Sequence, residues 1–245
     1  MNIRALVAEA VGTFILVGFG SLGVASVALS GGLPPILVIP FAFGLGLMAA
    51  IAVGGHASGG HYNPAVTLAA LIDGRVTWQL SVGYVVAQIV GALAASLGTL
   101  LVTTGDVVRL SVNQPGSIAE DLLGAEVRAF GVEIVLTAIF VAVILTVSRN
   151  QPRQAVLVIP LTLVAIHFVG MLVSGASVNP VRSLAPAVVT GTYESLWVYL
   201  IAPMLGGVLG WGLYRILMDP DDEISVEIDD DDLDDLDADE LDDDE

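Results

Sequence analysis

Two copies of one short phrase hold the polar chemistry of this chain: Asn63-Pro64-Ala65 and Asn179-Pro180-Val181. Proline has no N–H to give, and the residue before it is pushed out of the α region. Each box therefore starts a helix, with asparagine as its cap and proline at the first helical position. A capping side-chain oxygen leaves the amide NH₂ free as a donor. The helix N-terminus behind it adds roughly half a positive charge. Arg182 follows the second box, and Glu9, Glu133 and His167 stand in otherwise apolar stretches. Ionisable residues at membrane depth are functional candidates that need partners. Donors, one cation and two carboxylates can bind and orient a polar solute or carry a proton. No nucleophile–base pair or metal cluster stands among them, which argues against an enzyme and implies no cofactor or metal.

The elements that position these residues are membrane helices. Six stretches are long and apolar enough, at ~20 residues each, to cross a bilayer: 5–28, 35–55, 78–103, 126–148, 154–173 and 195–217. Two short apolar segments, 63–72 and 179–189, begin at the boxes and cannot span. Irregular backbone is tolerated in a membrane only where it is buried in protein or lines a wet cavity. One break in each half indicates an inverted repeat with a pore or binding site where the halves meet. The halves, about 1–110 and 125–217, echo one another, with Glu9 opening the first and Glu133 the second. Three crossings per half place the second half upside down. The fold class expected is an all-α polytopic membrane protein of six transmembrane helices plus two re-entrant half-helices. With six spans, Arg4, Arg75, Arg149, Arg153 and Arg215 share one face, and Arg109 and Arg128 lie among acids on the other. Positive residues favour the cytoplasmic side, so both termini are expected inside.

Composition agrees. The chain is 55% hydrophobic over 245 residues, with a mean hydropathy of +0.84. It has no cysteine, which removes disulfides and thiol catalysis. The N-terminal apolar run reads as a span rather than a cleaved signal. The net charge of −18 belongs to the tail, because residues from Asp219 onward hold 18 acids and no base. Residues 1–217 form the membrane domain and 218–245 an acidic segment with the composition of a disordered, self-repelling tail. The acid-rich, lysine-free chemistry resembles proteins of salt-accumulating halophiles. Nothing resembles a nucleic-acid surface.

On the two boxes, the paired glutamates, Asn179-Pro180-Val181-Arg182-Ser183 and the run Gly55-His56-Ala57-Ser58-Gly59-Gly60-His61-Tyr62-Asn63-Pro64-Ala65-Val66-Thr67, the chain resembles the major intrinsic proteins, the aquaporin and glycerol-facilitator family. The resemblance covers about residues 5–217. It implies a homotetrameric channel for water, with small neutral solutes as the alternative cargo. Aquaporin-type pores as a class select by diameter, lining donors and electrostatic barriers. Asn63 and Asn179 would hold a passing water by its oxygen at the midplane. Phe43, His167, Ala176 and Arg182 fall where the family places its constriction, and histidine with phenylalanine there resembles the water-selective members. Glu9 and Glu133 would accept backbone N–H groups from the re-entrant loops. The leads Gly59-Gly60-His61-Tyr62 and Gly175-Ala176-Ser177-Val178 would offer a ladder of carbonyls along one wall.

Blander readings stand beside each of these. The asparagines can be plain caps, Arg182 one end of a salt bridge to a glutamate, and His167 a satisfied interior group. Phe43 can be core or lipid-facing, and the leads flexible connectors. Val181 departs from the usual alanine, and its bulk is expected to shift the asparagines. Small Ala176 is expected to widen the constriction. Loop 149–154 has no histidine to gate by protons. Gly12, Gly44, Gly46, Gly83, Gly91, Gly206, Gly207 and Gly210 suit close helix crossings. Trp78, Trp197 and Tyr199 are expected as interfacial anchors. Three rivals to a water channel remain open: a glycerol-type facilitator, a proton-coupled transporter using Glu9 and Glu133, and a closed structural protein.

Overall fold

A computed structural model describes residues 2–116 and 124–218. The acidic segment from Asp219 onward, including its expected disorder, lies outside the described residues. Six helices are long and apolar enough to cross a membrane. They are α1 (Ile3–Ser30), α2 (Pro35–Ser58), α4 (Trp78–Val102), α6 (Ala125–Asn150), α7 (Ala155–Ser174) and α9 (Leu196–Leu217). Two short helices, α3 (Pro64–Ile72) and α8 (Pro180–Thr190), begin at the boxes. A further short helix, α5 (Gly105–Arg109), was not expected from the sequence; Thr104 caps it by accepting from the Val107 N–H.

Local chemistry sets several of the ends. Thr77 caps α4. Gly59 and Gly175 close α2 and α7 in the left-handed region, where a side chain is disfavoured. Helix α2 runs three residues past its expected end, because the glycine that stops it is Gly59 rather than Gly54 or Gly55.

The two halves pack alike. Helix α1 lies against α2 and α4, α6 lies against α7 and α9, and α2 meets α7 between the halves. Each half-helix also lodges against the last long helix of the other half, α3 on α9 and α8 on α4. Close crossings depend on missing side chains. A Cβ at Gly91 would overlap the Ala10 carbonyl oxygen, and one at Gly206 would come 2.6 Å from that of Ile134. One at Gly210 would come 2.5 Å from that of Ala138. Gly12 instead makes room for the ring of Tyr62. Trp78 and Trp197 are exposed near the starts of α4 and α9, but Tyr199 is fully buried and anchors no interface. Two helical residues turn through about 200°, so Tyr199 faces inward where Trp197 faces out.

Candidate pore and its constriction

The re-entrant loops are mirror copies in backbone, though not in side chain. Counting back from each asparagine, Gly59 matches Gly175, Gly60 matches Ala176, and Tyr62 matches Val178, and all six have positive φ. For valine this is a costly conformation that persists only when the surroundings over-determine it. The surroundings are the two buried carboxylates. Glu9 accepts from the Ser58 hydroxyl at 2.6 Å, the His61 N–H at 2.9 Å, the Tyr62 N–H at 2.7 Å and the Gln88 amide at 2.7 Å. Glu133 accepts from the Ser174 hydroxyl at 2.7 Å, the Ser177 N–H at 2.8 Å and the Val178 N–H at 2.7 Å. Both are wholly buried. Consecutive N–H groups turned onto a carboxylate leave the intervening carbonyls facing the other way.

The boxes lock to each other. Asn63 accepts from the Ala65 N–H at 2.9 Å and Asn179 from the Val181 N–H at 3.2 Å, so both cap their helices. Asn63 Nδ2 donates to the Val178 carbonyl at 2.7 Å, and Asn179 Nδ2 donates to the Tyr62 carbonyl at 2.9 Å. An amide NH₂ has two hydrogens; one is thus spent on the opposite loop and one is left for the lumen. The near-equal distances differ from the shift expected of Val181. Its side chain points away from Asn63 into a cluster with Val17, Ala92, Ala95 and Ala185. On the other box, Ala65 lies against α9, where Gly207 leaves it room.

A cavity of about 370 Å³ runs past the asparagines, lined by Gly59, Gly60, His61, Asn63, Ser177, Val178 and Asn179 on one side. Leu16, Leu47, Phe140, Ile159 and Leu163 are among the apolar side chains that complete it. Of the eight residues expected in the carbonyl ladder, Tyr62, Gly175 and Ala176 do not line this cavity. The Tyr62 and Val178 carbonyls are taken by the asparagines, and Gly175's accepts from Asn113 Nδ2 at 3.1 Å.

Three of the four expected ring residues, Phe43, His167 and Arg182, line this cavity. Phe43 and His167 stack with centroids 4.8 Å apart and planes at 17°. The Arg182 guanidinium lies 4.4 Å from the Phe43 ring centroid. Beyond them a second pocket of about 230 Å³ opens, lined by Ser111, Asn113, Gln114 and Gly175 among others, and Arg182 lines both. Ala176 is fully buried in the same apolar cluster as Phe43, Leu136 and Phe140 and is not among the residues that line either pocket.

Arg182 makes no salt bridge to a glutamate among the described residues. Its Nη1 donates to the Ser111 carbonyl at 2.9 Å and to Asn113 Oδ1. His167 Nδ1 lies 2.9 Å from the Leu163 carbonyl, which only accepts, so in the neutral ring Nε2 is an acceptor. His167 Nε2 and Arg182 Nε are both buried with no partner among the described residues. A buried polar atom left without a partner is costly. One acceptor and one donor on residues lining the same cavity suit a small polar permeant.

Sequence reasoning missed Gln88 and Asn113. Gln88 donates to Glu9 and, at 2.9 Å, to the Thr67 hydroxyl. Asn113 accepts from Arg182 and, at 2.8 Å, from Ser183. An amide in an apolar span was a signal for Gln88; nothing in a connecting loop marked Asn113.

Six membrane helices around two capped half-helices that meet in a lined passage define a polytopic channel. A profile described as Major intrinsic protein matches residues 1–214, and the chain belongs to that family. It is 36% identical over 228 residues to "Aquaporin Z" of Photorhabdus laumondii, spanning 88% of this chain and 97% of that one. It is 37% identical over 223 residues to "Glycerol uptake facilitator protein-like 6" of Lactiplantibacillus plantarum, spanning 89% of this chain and 100% of that one. The solved aquaglyceroporin of Plasmodium falciparum shares the fold, with a TM-score of 0.79 at 22% identity over 89% of this chain and 97% of that one. The chain is thus a multi-pass channel of the aquaporin and aquaglyceroporin family and not an enzyme.

Proposed function

We propose that the chain is a passive water channel that excludes ions and protons. The observation that carries this reading is the closure of the passage by stacked Phe43 and His167 against Arg182, with one unpartnered acceptor and one unpartnered donor. A permeant must be small enough to pass the rings and able both to donate to His167 Nε2 and to accept from Arg182 Nε. Water does both at the least volume. The fixed guanidinium opposes cations, and the N-termini of α3 and α8 oppose them again at the asparagines. There the second hydrogens of Asn63 and Asn179 hold the water oxygen, turning its hydrogens outward. The carbonyls of Gly59, Gly60, His61 and Ser177 would guide the water file. The structural role of Glu9 and Glu133 is favoured over proton carriage, because the two carboxylates accept four and three hydrogen bonds from the re-entrant loops and the helices beside them.

The channel works in this reading as a homotetramer in the cytoplasmic membrane with both termini inside, as the arginine face supports. Residues 1–217 form the channel, built of two halves, and 218–245 the cytoplasmic tail.

Stopped-flow light scattering on proteoliposomes tests it. Sucrose shock should shrink the vesicles fast, glycerol should re-enter slowly, and His167→Gly should gain glycerol entry. Fast glycerol entry in the unsubstituted protein would move it to the facilitator reading, in line with the relative of that name. Saturable uptake driven by a proton gradient would favour the transporter. No permeability above empty vesicles would remove the channel reading.

A further inference from the structure

The two faces of the molecule carry opposite charge. The face where α1 begins and α9 ends holds Arg4, Arg75, Arg149, Arg153 and Arg215 against Asp73 alone among the described residues. Side-chain contacts tie this face together: Arg4 meets His56 at 3.2 Å, Arg75 reaches the Leu145 carbonyl at 3.0 Å, and Arg149 reaches the Tyr214 hydroxyl at 3.2 Å. Asp73 is spent on Arg75, at 2.8 Å. Arg4, Arg149, Arg153 and Arg215 are exposed, and none has a carboxylate within ion-pair distance among the described residues.

Three of these four flank the mouth of the passage. His56, Ser148 and Pro152 line the cavity there, and Arg4, Arg149 and Arg153 are in contact with or adjacent to them. The fourth, Arg215, sits in the last turn of α9. That helix stops at the same rim, where the Asn150 side-chain amide lies 3.4 Å from the Met218 sulfur. The 18 acids of 219–245 start at the next residue. At no more than about 3.6 Å per residue this segment can extend by many tens of ångströms, ample to reach Arg4, Arg149 and Arg153 from its root.

We propose that the acidic segment 219–245 docks on the exposed arginines of this face, Arg4, Arg149, Arg153 and Arg215. The unpaired cations and the surplus of carboxylates belong to one chain and meet at the point where α9 ends, so their effective concentration is high. The contact is between solvated charges and is therefore released by salt.

Because the chain has no cysteine, Ala238→Cys gives a single nitroxide site without changing the charge. The labelled full-length protein is placed in phosphatidylcholine nanodiscs and its spectrum recorded against NaCl. At about 10 mM, where charges act over roughly 30 Å, the label should show a slow component. At about 1 M, where they act over roughly 3 Å, that component should vanish. It should also be absent at low salt when Arg4, Arg149, Arg153 and Arg215 are all changed to Gln. A label equally fast at both salts in the otherwise unsubstituted chain overturns the docking without need of the arginine variant. So does a slow component that survives the four substitutions. A label that turns fast at low salt in phosphatidylglycerol assigns the rim to lipid headgroups and also overturns it.

Discussion

Arg182 is held by a residue from a distant loop. Asn113 takes its Nη1 and the Ser183 hydroxyl on one oxygen while its amide anchors the Gly175 carbonyl. Asn113→Ala should free the guanidinium from one of its two fixed partners. Water flow is expected to persist while glycerol entry rises several-fold in the same vesicles; an unchanged ratio would mean the Ser111 carbonyl suffices. The carboxylates predict the opposite split. Glu9→Gln places an NH₂ among four donors, and each donor left unmatched costs about 1–3 kcal/mol. Melting of the detergent-solubilised protein, followed by size-exclusion fluorescence, should fall sharply. The molecules that fold should keep the parent's water-to-glycerol ratio. Glu133→Gln should behave alike, with three donors to disturb instead of four.

Among the elements, stability depends on where backbones touch. A Cβ at Gly91 overlaps the Ala10 carbonyl oxygen, whereas one at Gly131 meets nothing within 4 Å. Gly91→Ala should therefore separate α1 from α4 and cost about 1–3 kcal/mol, as overpacking does. Gly131→Ala, in the open middle of α6, should gain roughly 0.5–1 kcal/mol through helix propensity. Thermal melts of the pair should move in opposite directions. From sequence, Gly91 was picked out for a close crossing and Gly131 was left unread, and a helical glycine by itself carries no mark of what lies across from it. The same limit explains Tyr199, whose place near a span end suggested an anchor and whose helical phase buries it. The spans themselves were legible to within a few residues, because length, apolarity and glycine stops are local properties.

For the whole molecule, charge is divided between a nearly neutral body and an acidic end. Among the described residues those that line the passage all precede Met218, so a chain cut after Met218 should conduct water. Shrinkage rates matched for membrane abundance check this, and lost permeability would show that the tail is needed for the pore itself. The proposed tetramer is checked by crosslinking in native membranes, where bands should stop at four copies.

The sequence by itself determined the membrane class, the six spans, the two half-helices and the polar residues that need partners. These follow from local rules: hydrocarbon tolerates only satisfied backbone, proline restarts a helix, and asparagine caps it. Phe43, His167 and Arg182 came from the resemblance to the family, counted from the boxes. Only the tertiary structure decided that each asparagine spends one hydrogen on the opposite loop and that Val181 packs among Val17, Ala92, Ala95 and Ala185. It alone joined Asn113 to Arg182 and Gln88 to Glu9. Those pairings cross 69 and 79 residues of chain. No local pattern encodes them, because they arise only when the two halves close on each other and every buried donor must find its acceptor.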